Sequence, residues 1–315
     1  MSTHLLDLPA DGHLDFAYAR ETYVIYPWVR DGEELVRPLR LGHGDQHIAV
    51  ARIAQLRPDL LRATIDLPDD LPDALDHART ALSRCLQLDY PRATIEGLAA
   101  TDPVLKAACD HRGLGRGKLY PDLFEALCGV ICAQRTSFAR VYSMMRKLAE
   151  AFGTPTSEIV DDAVVHAFPT PAIMAAASDE QLRACSVGFR ARGLAAAATH
   201  LTETGYTWWD WKDKPAEPVV AELIEIKGVG PYTANLAVNL AYGQGGHAHI
   251  DTYVVDVIGN LYLDDPHPDP ATVTQFVKER WGDLGETVLD LLTTDTEQWT
   301  ATLGKSVRVR SGARA

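Results

Sequence analysis

The 315-residue sequence is poor in cysteine, in long apolar runs and in positive charge. Its five cysteines are scattered, and only Cys128 and Cys132 lie close together, so the pattern does not predict a disulfide framework. No apolar run approaches the roughly 20 residues that a bilayer-spanning helix needs, and no basic and then apolar leader stands at the N-terminus. From these absences we expect a soluble intracellular protein without a membrane partner.

Acidic residues outnumber basic ones, 43 against 30, which gives a formal net charge of −13. A chain of this charge is not expected to coat nucleic acid through its overall field. Positive charge is nevertheless concentrated in two places, residues 112–118 and a C-terminal tail with Lys305, Arg308, Arg310 and Arg314. A local cationic face therefore remains open to a nucleic-acid partner.

Most of the strand signals lie in the first hundred residues, where β-branched and aromatic side chains flank an Asp31-Gly32 turn. The expected elements are strands at residues 22–29, 34–41, 47–53 and 61–67 and a helix at residues 71–86. The sequence therefore predicts a small α+β module with an antiparallel sheet over residues 1–102.

From residue 103 onward the apolar spacing is mainly helical, and prolines such as Pro155 mark breaks between helices. We divide this part of the chain into a helical segment of residues 103–210 and a second helical segment of residues 211–315. The expected fold class is mainly α with an N-terminal α+β module.

Gly228 and Gly230 lie two residues apart between helical patterns at residues 219–226 and 232–240. Glycines let a backbone turn tightly and approach another molecule closely, and the N–H groups that begin the second helix can hold a phosphate. An ordinary helix–helix corner and the loop of a Rossmann fold are the alternatives. The Rossmann loop fits less well, because a third glycine is missing at the required spacing and the preceding segment is helical.

Asp251 follows Tyr232 by nineteen residues and opens a helical pattern in the sequence His249-Ile-Asp-Thr-Tyr-Val-Val-Asp-Val257. Aspartate is a favoured N-cap residue, so a structural role alone explains Asp251 when it is taken in isolation. Its pairing with the glycine-rich turn favours a role in chemistry as well.

The two motifs resemble the helix-hairpin-helix and Gly/Pro-Asp (HhH-GPD) signature of a DNA glycosylase superfamily that includes endonuclease III, 3-methyladenine glycosylase II and 8-oxoguanine glycosylase. Residues 123–136, 168–171 and 187–192 are also similar to segments of that family, so the resemblance covers about residues 103–293, and residues 1–102 loosely resemble the sheet domain of the last two branches. It implies two helical subdomains that flank a DNA-binding cleft.

The resemblance implies that the protein flips a damaged base out of double-stranded DNA and hydrolyses its N-glycosidic bond, with Asp251 as the catalytic carboxylate that stabilises the positive sugar. No cysteine follows Cys185, which excludes the iron–sulfur cluster of endonuclease III. The position two after Gly230, a lysine in the bifunctional glycosylase/lyases, is Tyr232. A phenol cannot form the Schiff base of the lyase step, so we expect a monofunctional enzyme.

The remaining roles implied by the resemblance fall on three groups of residues. Tyr232 and Leu236 are expected in the base pocket, the amides of Gly228, Gly230 and Thr233 on the DNA backbone, and Gln134, Arg135, Arg140, Phe189 and Arg190 at the wedge and the opposite base. The backbone carbonyls of Ile224, Ile226 and Val229 are expected to ligate a structural Na⁺ or K⁺. No other cofactor is expected.

The expected substrate is an alkylated purine such as 3-methyladenine, for which Tyr232 offers a π face. The alternative is 8-oxoguanine or another damaged or deaminated base, because Arg140 and Arg190 match by position two arginines that read the orphaned cytosine in the oxoguanine branch. Surface ion pairs explain the two arginines equally well. An alternative of another class is a noncatalytic helix-hairpin-helix DNA-binding protein. We expect a monomer, cytoplasmic and nucleoid-associated in a prokaryote or nuclear in a eukaryote.

Overall fold

A computed structural model describes residues 2–12, 14–22, 24–41, 47–67, 73–112, 119–242 and 250–310. Packing groups the chain into two compact units. The first unit consists of residues 1–89 and 116–243, and the second unit consists of residues 90–115 and 244–315. The predicted division into an N-terminal module and two helical subdomains, with boundaries at residues 102 and 210, stays a prediction. Residues 113–118 and Arg314, which the sequence marks as basic, lie outside the described residues.

The first unit begins with an antiparallel sheet of order β1-β5-β4-β3-β2. Its strands are β1 (Ser2–Pro9), β2 (Val29–Asp31), β3 (Glu34–Leu41), β4 (His47–Arg57) and β5 (Leu60–Leu67). The expected antiparallel sheet is confirmed, and its strand β1 was not predicted. Two more strands, β6 (Thr154–Val160) and β7 (Ala163–Ala167), form a separate antiparallel hairpin.

The two units contain the following α-helices, given in chain order. They are α1 (Phe16–Glu21), α2 (Ala74–Cys85), α3 (Arg92–Ala99), α4 (Pro103–Arg112), α5 (Leu123–Ala133), α6 (Phe138–Phe152), α7 (Pro171–Ala175), α8 (Asp179–Ala184), α9 (Ala191–Glu203), α10 (Trp208–Trp211), α11 (Ala216–Ile224), α12 (Pro231–Tyr242), α13 (Thr252–Ile258), α14 (Pro270–Trp281), α15 (Gly285–Thr293) and α16 (Thr296–Thr302). The mainly helical fold class with an N-terminal antiparallel sheet is confirmed. In the described part of the chain no helix is long and apolar enough to cross a membrane.

The strand predicted at residues 22–29 is wrong except at its last residue, because two aromatic side chains anchor this segment as a loop. The Tyr26 hydroxyl donates to the carbonyl of His166 at 3.1 Å, and the Trp28 indole N–H donates to the carbonyl of Leu119 at 3.2 Å. Pro27 lacks the N–H that a strand ladder requires. The aromatic residues that suggested a strand therefore serve tertiary packing.

Around Pro155 the sequence predicts a simple break between helices, whereas the structure has the hairpin of β6 and β7 there. Val160 and Val165 are buried against Val36 of β3, and Arg52 of β4 donates to the carboxylate of Glu158 at 2.7 Å. One apolar contact and one ion pair thus fix the hairpin to the sheet. The alternation of its short strands is too weak a signal to outweigh the proline.

Helix α5 forms the centre of the first unit. Its residues from Leu123 to Cys132 are all buried, and it packs against α6, α9 and α12. A helix that is apolar on every side has to lie inside the fold. At Gly129 an added Cβ would lie 2.2 Å from the hydroxyl oxygen of Tyr120, so that close approach requires glycine.

A buried ion pair joins the sheet to this central helix. Arg37 of β3 is 0% exposed and Glu125 of α5 is 3% exposed, and the guanidinium donates to the carboxylate. Burial raises the pKa of Glu125 to about 7, against the opposing attraction of Arg37. Removal of either partner would leave an uncompensated buried charge, which typically costs about 3–5 kcal/mol.

The second unit has a core of its own, formed by α3, α4 and α13–α16. At the start of α4 the buried Asp102 accepts the N–H groups of Val104 and Leu105, each at 3.0 Å. The same carboxylate accepts the hydroxyl of Tyr262 at 3.1 Å and the guanidinium of Arg280 at 3.0 Å. Four donors therefore satisfy this buried acid.

We predict that Glu125→Gln flattens the dependence of stability on pH. The pKa of Glu125 is about 7 in the folded protein and near 4.5 when unfolded, so the folded state holds the proton more tightly. The free energy of unfolding should therefore fall as pH rises between these values, by up to about 1.4 kcal/mol per pH unit. Urea denaturation of both proteins from pH 5 to pH 8 measures this loss, and parallel curves would contradict the assignment.

Candidate functional site

The glycine-rich segment is a helix–turn–helix hairpin in the first unit. Helix α11 ends at Ile224, the turn carries Gly228 at φ +94°, and Pro231 begins α12. A helix rather than a strand precedes the turn, so the Rossmann alternative is wrong. The turn passes close to α9, because a Cβ at Gly228 would lie 3.6 Å from the Cα of Gly193.

Unpaired backbone donors gather at this turn. Within the described residues, no acceptor receives the N–H groups of Gly228, Gly230 and Thr233. The first N–H groups of any helix lack an internal partner, and the helix dipole makes that end attractive to an anion. A Cβ at Gly230 would meet no atom of the described segments within 4 Å, which leaves the space beside this residue open as far as these segments are concerned.

The carbonyls assigned to a cation lie in the same turn. The Ile226 carbonyl accepts the N–H of Val229 at 2.9 Å, which leaves it one further lone pair. The carbonyls of Ile224 and Val229 receive no donor from the described residues. Carbonyl oxygens are ligands of hard cations, so the chemistry of this donor set fits Na⁺ or K⁺.

The residues predicted as the wedge form the turn between α5 and α6. Arg135 adopts a left-handed conformation with φ +53°, which turns the chain sharply after the end of α5. The side-chain amide of Gln134 donates to the Thr233 hydroxyl at 3.5 Å. The wedge turn and the hairpin are thus joined by a direct hydrogen bond.

Arg190 supports the wedge turn from the start of α9. Its guanidinium donates to the carbonyl of Gln134 and, at 3.3 Å, to that of Val187, and it lies 4.6 Å from the ring centre of Phe189. Arg190 makes no ion pair with a described residue, so the alternative explanation of Arg190 as a partner in a surface ion pair is wrong. Arg140 is exposed on α6, and the role of both arginines at an opposite base stays a prediction.

The two residues predicted for the base pocket differ in exposure. Tyr232 is 48% exposed in the first turn of α12, whereas Leu236, one turn later, is half-buried against the core. Lys227 is exposed and precedes the turn glycine. The phenol of Tyr232 is therefore accessible at the end of the helix that carries the unpaired amides.

Asp251 lies in the second unit as the N-cap of α13. Its Oδ1 accepts the N–H of Val254 at 2.7 Å, and the side chain is half-buried. The capping role expected from the sequence is therefore confirmed. The N-cap bond uses one oxygen and fixes the rotamer, and within the described ranges no group donates to the second oxygen, which leaves it for another partner.

Sequence reasoning missed a second carboxylate on the same helix. Asp256 is 0% exposed and accepts hydrogen bonds from Arg310 and His267. Its signal was the single acid within the apolar run from Val254 to Ile258. A buried acid in such a run requires partners, and these come from distant positions in the chain.

Residues 128–283 match the profile of the HhH-GPD superfamily base excision DNA repair protein. N-glycosylase/DNA lyase of Saccharomyces cerevisiae is 27% identical over 142 residues, which are 42% of this chain and 38% of that protein. N-glycosylase/DNA lyase OGG1 of Arabidopsis thaliana is 24% identical over 155 residues, 48% of this chain and 42% of that protein. The chain therefore spans less than half the length of these curated relatives.

Solved structures share the fold over nearly the whole chain. MBOgg1 in complex with a low affinity DNA ligand aligns with a TM-score of 0.75 at 20% identity and covers 97% of this chain and 100% of that one. The 3-methyladenine DNA glycosylase of Archaeoglobus fulgidus aligns with a TM-score of 0.77 at 18% identity and covers 92% and 99%. The hairpin, the N-cap aspartate, the profile match and the shared fold assign the chain to the HhH-GPD superfamily of base excision DNA repair proteins.

Proposed function

We propose that this protein is a monofunctional DNA glycosylase that binds double-stranded DNA, extrudes a damaged base and hydrolyses its N-glycosidic bond. The observation that carries the proposal is Asp251, an acid held by an N-cap hydrogen bond whose other oxygen receives no donor from the residues that the structure describes. Its spacing from a hairpin with unpaired amides resembles the signature described above, and both motifs lie within the matched residues 128–283. The proposal adds a reaction and a catalytic residue to the family assignment.

Cleavage of the N-glycosidic bond is favoured by a negative charge close to the sugar. As the bond between C1′ and the base nitrogen breaks, the base leaves with the electron pair and C1′ becomes an oxocarbenium-like cation. The carboxylate of Asp251 stabilises that cation, and its second oxygen takes a proton from the water that attacks C1′. The N-cap bond to Val254 holds the carboxylate in one orientation, so little reorganisation accompanies the reaction.

The hairpin supplies the grip on DNA. A chain with a net charge of −13 repels a polyanion at long range, so binding has to rely on local donors. The amides of Gly228, Gly230 and Thr233 suit a phosphate, and the carbonyls of Ile224, Ile226 and Val229 would hold a Na⁺ or K⁺ that neutralises phosphate charge when bound. These contacts read the backbone and not the base, so they serve damaged and undamaged duplex alike.

The wedge turn suits the role of a filler for the space that the extruded base leaves. The left-handed Arg135 and the neighbouring Gln134 project from the end of a rigid, buried helix. Arg190 holds the turn through its carbonyl, so the turn is braced before DNA arrives. Preorganisation of this kind lowers the entropy cost of binding.

A noncatalytic DNA-binding module explains the hairpin, and it leaves Asp251 with the N-cap role alone. An acid near DNA weakens binding by repulsion with phosphates, and a neutral serine, threonine or asparagine caps a helix without that repulsion, so a protein that only binds gains nothing from the charge. The proposal therefore favours catalysis, and removal of the charge at this one position separates the two possibilities.

An alkylated purine is the substrate that we favour. Alkylation gives a purine positive charge, and the exposed phenol of Tyr232 offers a π face to such a cation. The similarity in fold to the 3-methyladenine DNA glycosylase is in keeping with this choice. 8-Oxoguanine is the second candidate, because the exposed Arg140 carries the paired donors that suit the edge of an unpaired base.

Alanine at the two turn glycines should weaken DNA binding for different reasons. Gly228→Ala puts a Cβ on a left-handed residue, so it should also lower stability, by about 1–2 kcal/mol. Gly230→Ala meets no protein atom within 4 Å, so the fold should keep its melting temperature while the methyl group holds the DNA backbone away. Thermal unfolding and duplex binding test both. A loss confined to damaged duplex would contradict the backbone role.

Asp251→Asn should abolish base release while DNA binding stays equal or becomes tighter. The amide keeps an oxygen for the N-cap bond but loses the negative charge, which should lower single-turnover excision by about 100-fold or more. The measurement is release of a methylated purine from a duplex, with duplex affinity recorded in parallel. Near-wild-type excision by this variant would exclude the catalytic role.

Wild-type protein should excise the base without cutting the strand. Because Tyr232 has no amine, borohydride should trap no covalent protein–DNA adduct, and strand breaks should appear only after alkali treatment. Lys227, the nearby lysine, is exposed and precedes the turn, so Lys227→Ala serves as the control. An adduct formed by the wild type and lost in Lys227→Ala would overturn the monofunctional assignment.

A further inference from the structure

Asp256 is an unusual residue for its place in the fold. It lies on α13, five residues after Asp251, between Val255 and Val257, and all three side chains are buried. A charged carboxylate in an apolar core is strongly unfavourable unless donors replace its lost water. The groups that donate to Asp256 therefore identify the segments that are tied to α13.

Those donors come from the C-terminal strap, defined as residues 305–310, and from one histidine. The N–H of Arg310 donates to Oδ2 of Asp256 at 2.7 Å, and its guanidinium donates to Oδ1 through Nε and Nη2, each at 2.8 Å. Nδ1 of His267 lies 3.0 Å from Oδ1. Burial alone would raise the pKa of Asp256, but the bonds from Arg310 and His267 outweigh it and lower that pKa.

The strap is fixed at two more points on the segment that continues α13. Asn260 accepts the N–H of Arg308 at 3.2 Å and donates to its carbonyl at 3.3 Å. The same side-chain amide donates to the carbonyl of Asp256 at 2.7 Å. Lys305 donates to the carbonyl of Leu261 at 3.3 Å. Anchors at positions 305, 308 and 310 thus tie the strap along the helix and its extension.

Helix α13 is seven residues long, and a helix of this length is not stable alone in water. The orientation of α13 therefore depends on tertiary contacts, and Asp256 provides polar contacts of this kind. Because Asp251 is the N-cap of the same helix, a change in the orientation of α13 moves its carboxylate. Displacement of a reacting group by a fraction of an ångström is enough to slow an enzyme.

We infer that Asp256 and Arg310 are positioning residues, and that the strap fixes α13 so that Asp251 keeps its catalytic orientation. The inference rests on the proposed function, since it assigns Asp251 to the reaction. It also gives part of the basic tail a structural role, because the exposed guanidinium of Arg310 pairs with the buried Asp256 and Lys305 donates to a backbone carbonyl. Lys305 and Arg310 therefore act as parts of a structural clamp on α13 and its extension.

Arg308 provides a matched control within the strap. Its backbone pairs with Asn260, whereas its exposed side chain makes no contact with a charged partner in the described residues. Arg308→Ala therefore removes one positive charge from the same strap and leaves every clamp hydrogen bond in place. Arg310→Ala removes one positive charge together with the bonds from Nε and Nη2.

The test compares wild type with Arg310→Ala, Asp256→Asn and Arg308→Ala by two readouts. Single-turnover excision should fall on the order of 10-fold or more in Arg310→Ala and Asp256→Asn, while duplex affinity stays within about twofold, because Asp251 acts on the reaction and not on binding. Hydrogen exchange at the Val254 amide, which reports the N-cap bond to Asp251, should quicken in the same two variants. Arg308→Ala should match the wild type in both readouts.

Arg310→Lys guards against simple loss of folding, because it keeps the charge and the backbone bond to Asp256. It should recover part of the excision rate and part of the Val254 protection. Wild-type excision in Arg310→Ala, or unchanged Val254 exchange, would overturn the inference. Absence of base release by the wild type itself would refute the proposed function instead, and the exchange measurement would still decide whether the strap fixes α13.

Discussion

Helix α5 imposes the main constraint on the first unit, because it has no polar face and must be covered on all sides. Helices α6, α9 and α12 cover it, and the sheet reaches it through the buried pair of Arg37 and Glu125. Its C-terminal end then delivers Gln134 and Arg135 to a fixed place beside Thr233 of α12. The burial of one apolar helix thus fixes the wedge turn and the hairpin relative to each other.

The functional groups that we assign lie at helix ends and use backbone polarity more than side-chain charge. The hairpin offers N–H groups at the start of α12, and Asp251 is oriented by an N–H at the start of α13. The use of backbone groups suits a chain with a net charge of −13, because such a composition does not favour a broad basic surface. The guanidinium of Arg310 pairs with the buried carboxylate of Asp256.

The sequence predicts the parts of the site that depend on local geometry. The Gly228 turn follows from the freedom of glycine to adopt a left-handed conformation, and the Asp251 cap follows from the preference of aspartate for the N-cap position. Both are confirmed. The mainly helical class with a small antiparallel sheet is also confirmed. Features that depend on distant partners could not be predicted: Tyr26 and Trp28 turn an expected strand into an anchored loop, and Asp256 finds its partner 54 residues away. The sequence does show Asp256 as one acid in an apolar run, but no local pattern predicts which residue pairs with it.

The central claim is that the protein breaks an N-glycosidic bond in damaged DNA. The most direct measurement is base release by the wild-type protein from matched duplexes that carry 3-methyladenine, hypoxanthine, 8-oxoguanine or uracil. The account predicts release of 3-methyladenine with an intact strand. Release of 8-oxoguanine alone would contradict the substrate that we favour, and release from none of the four duplexes would contradict the glycosylase assignment.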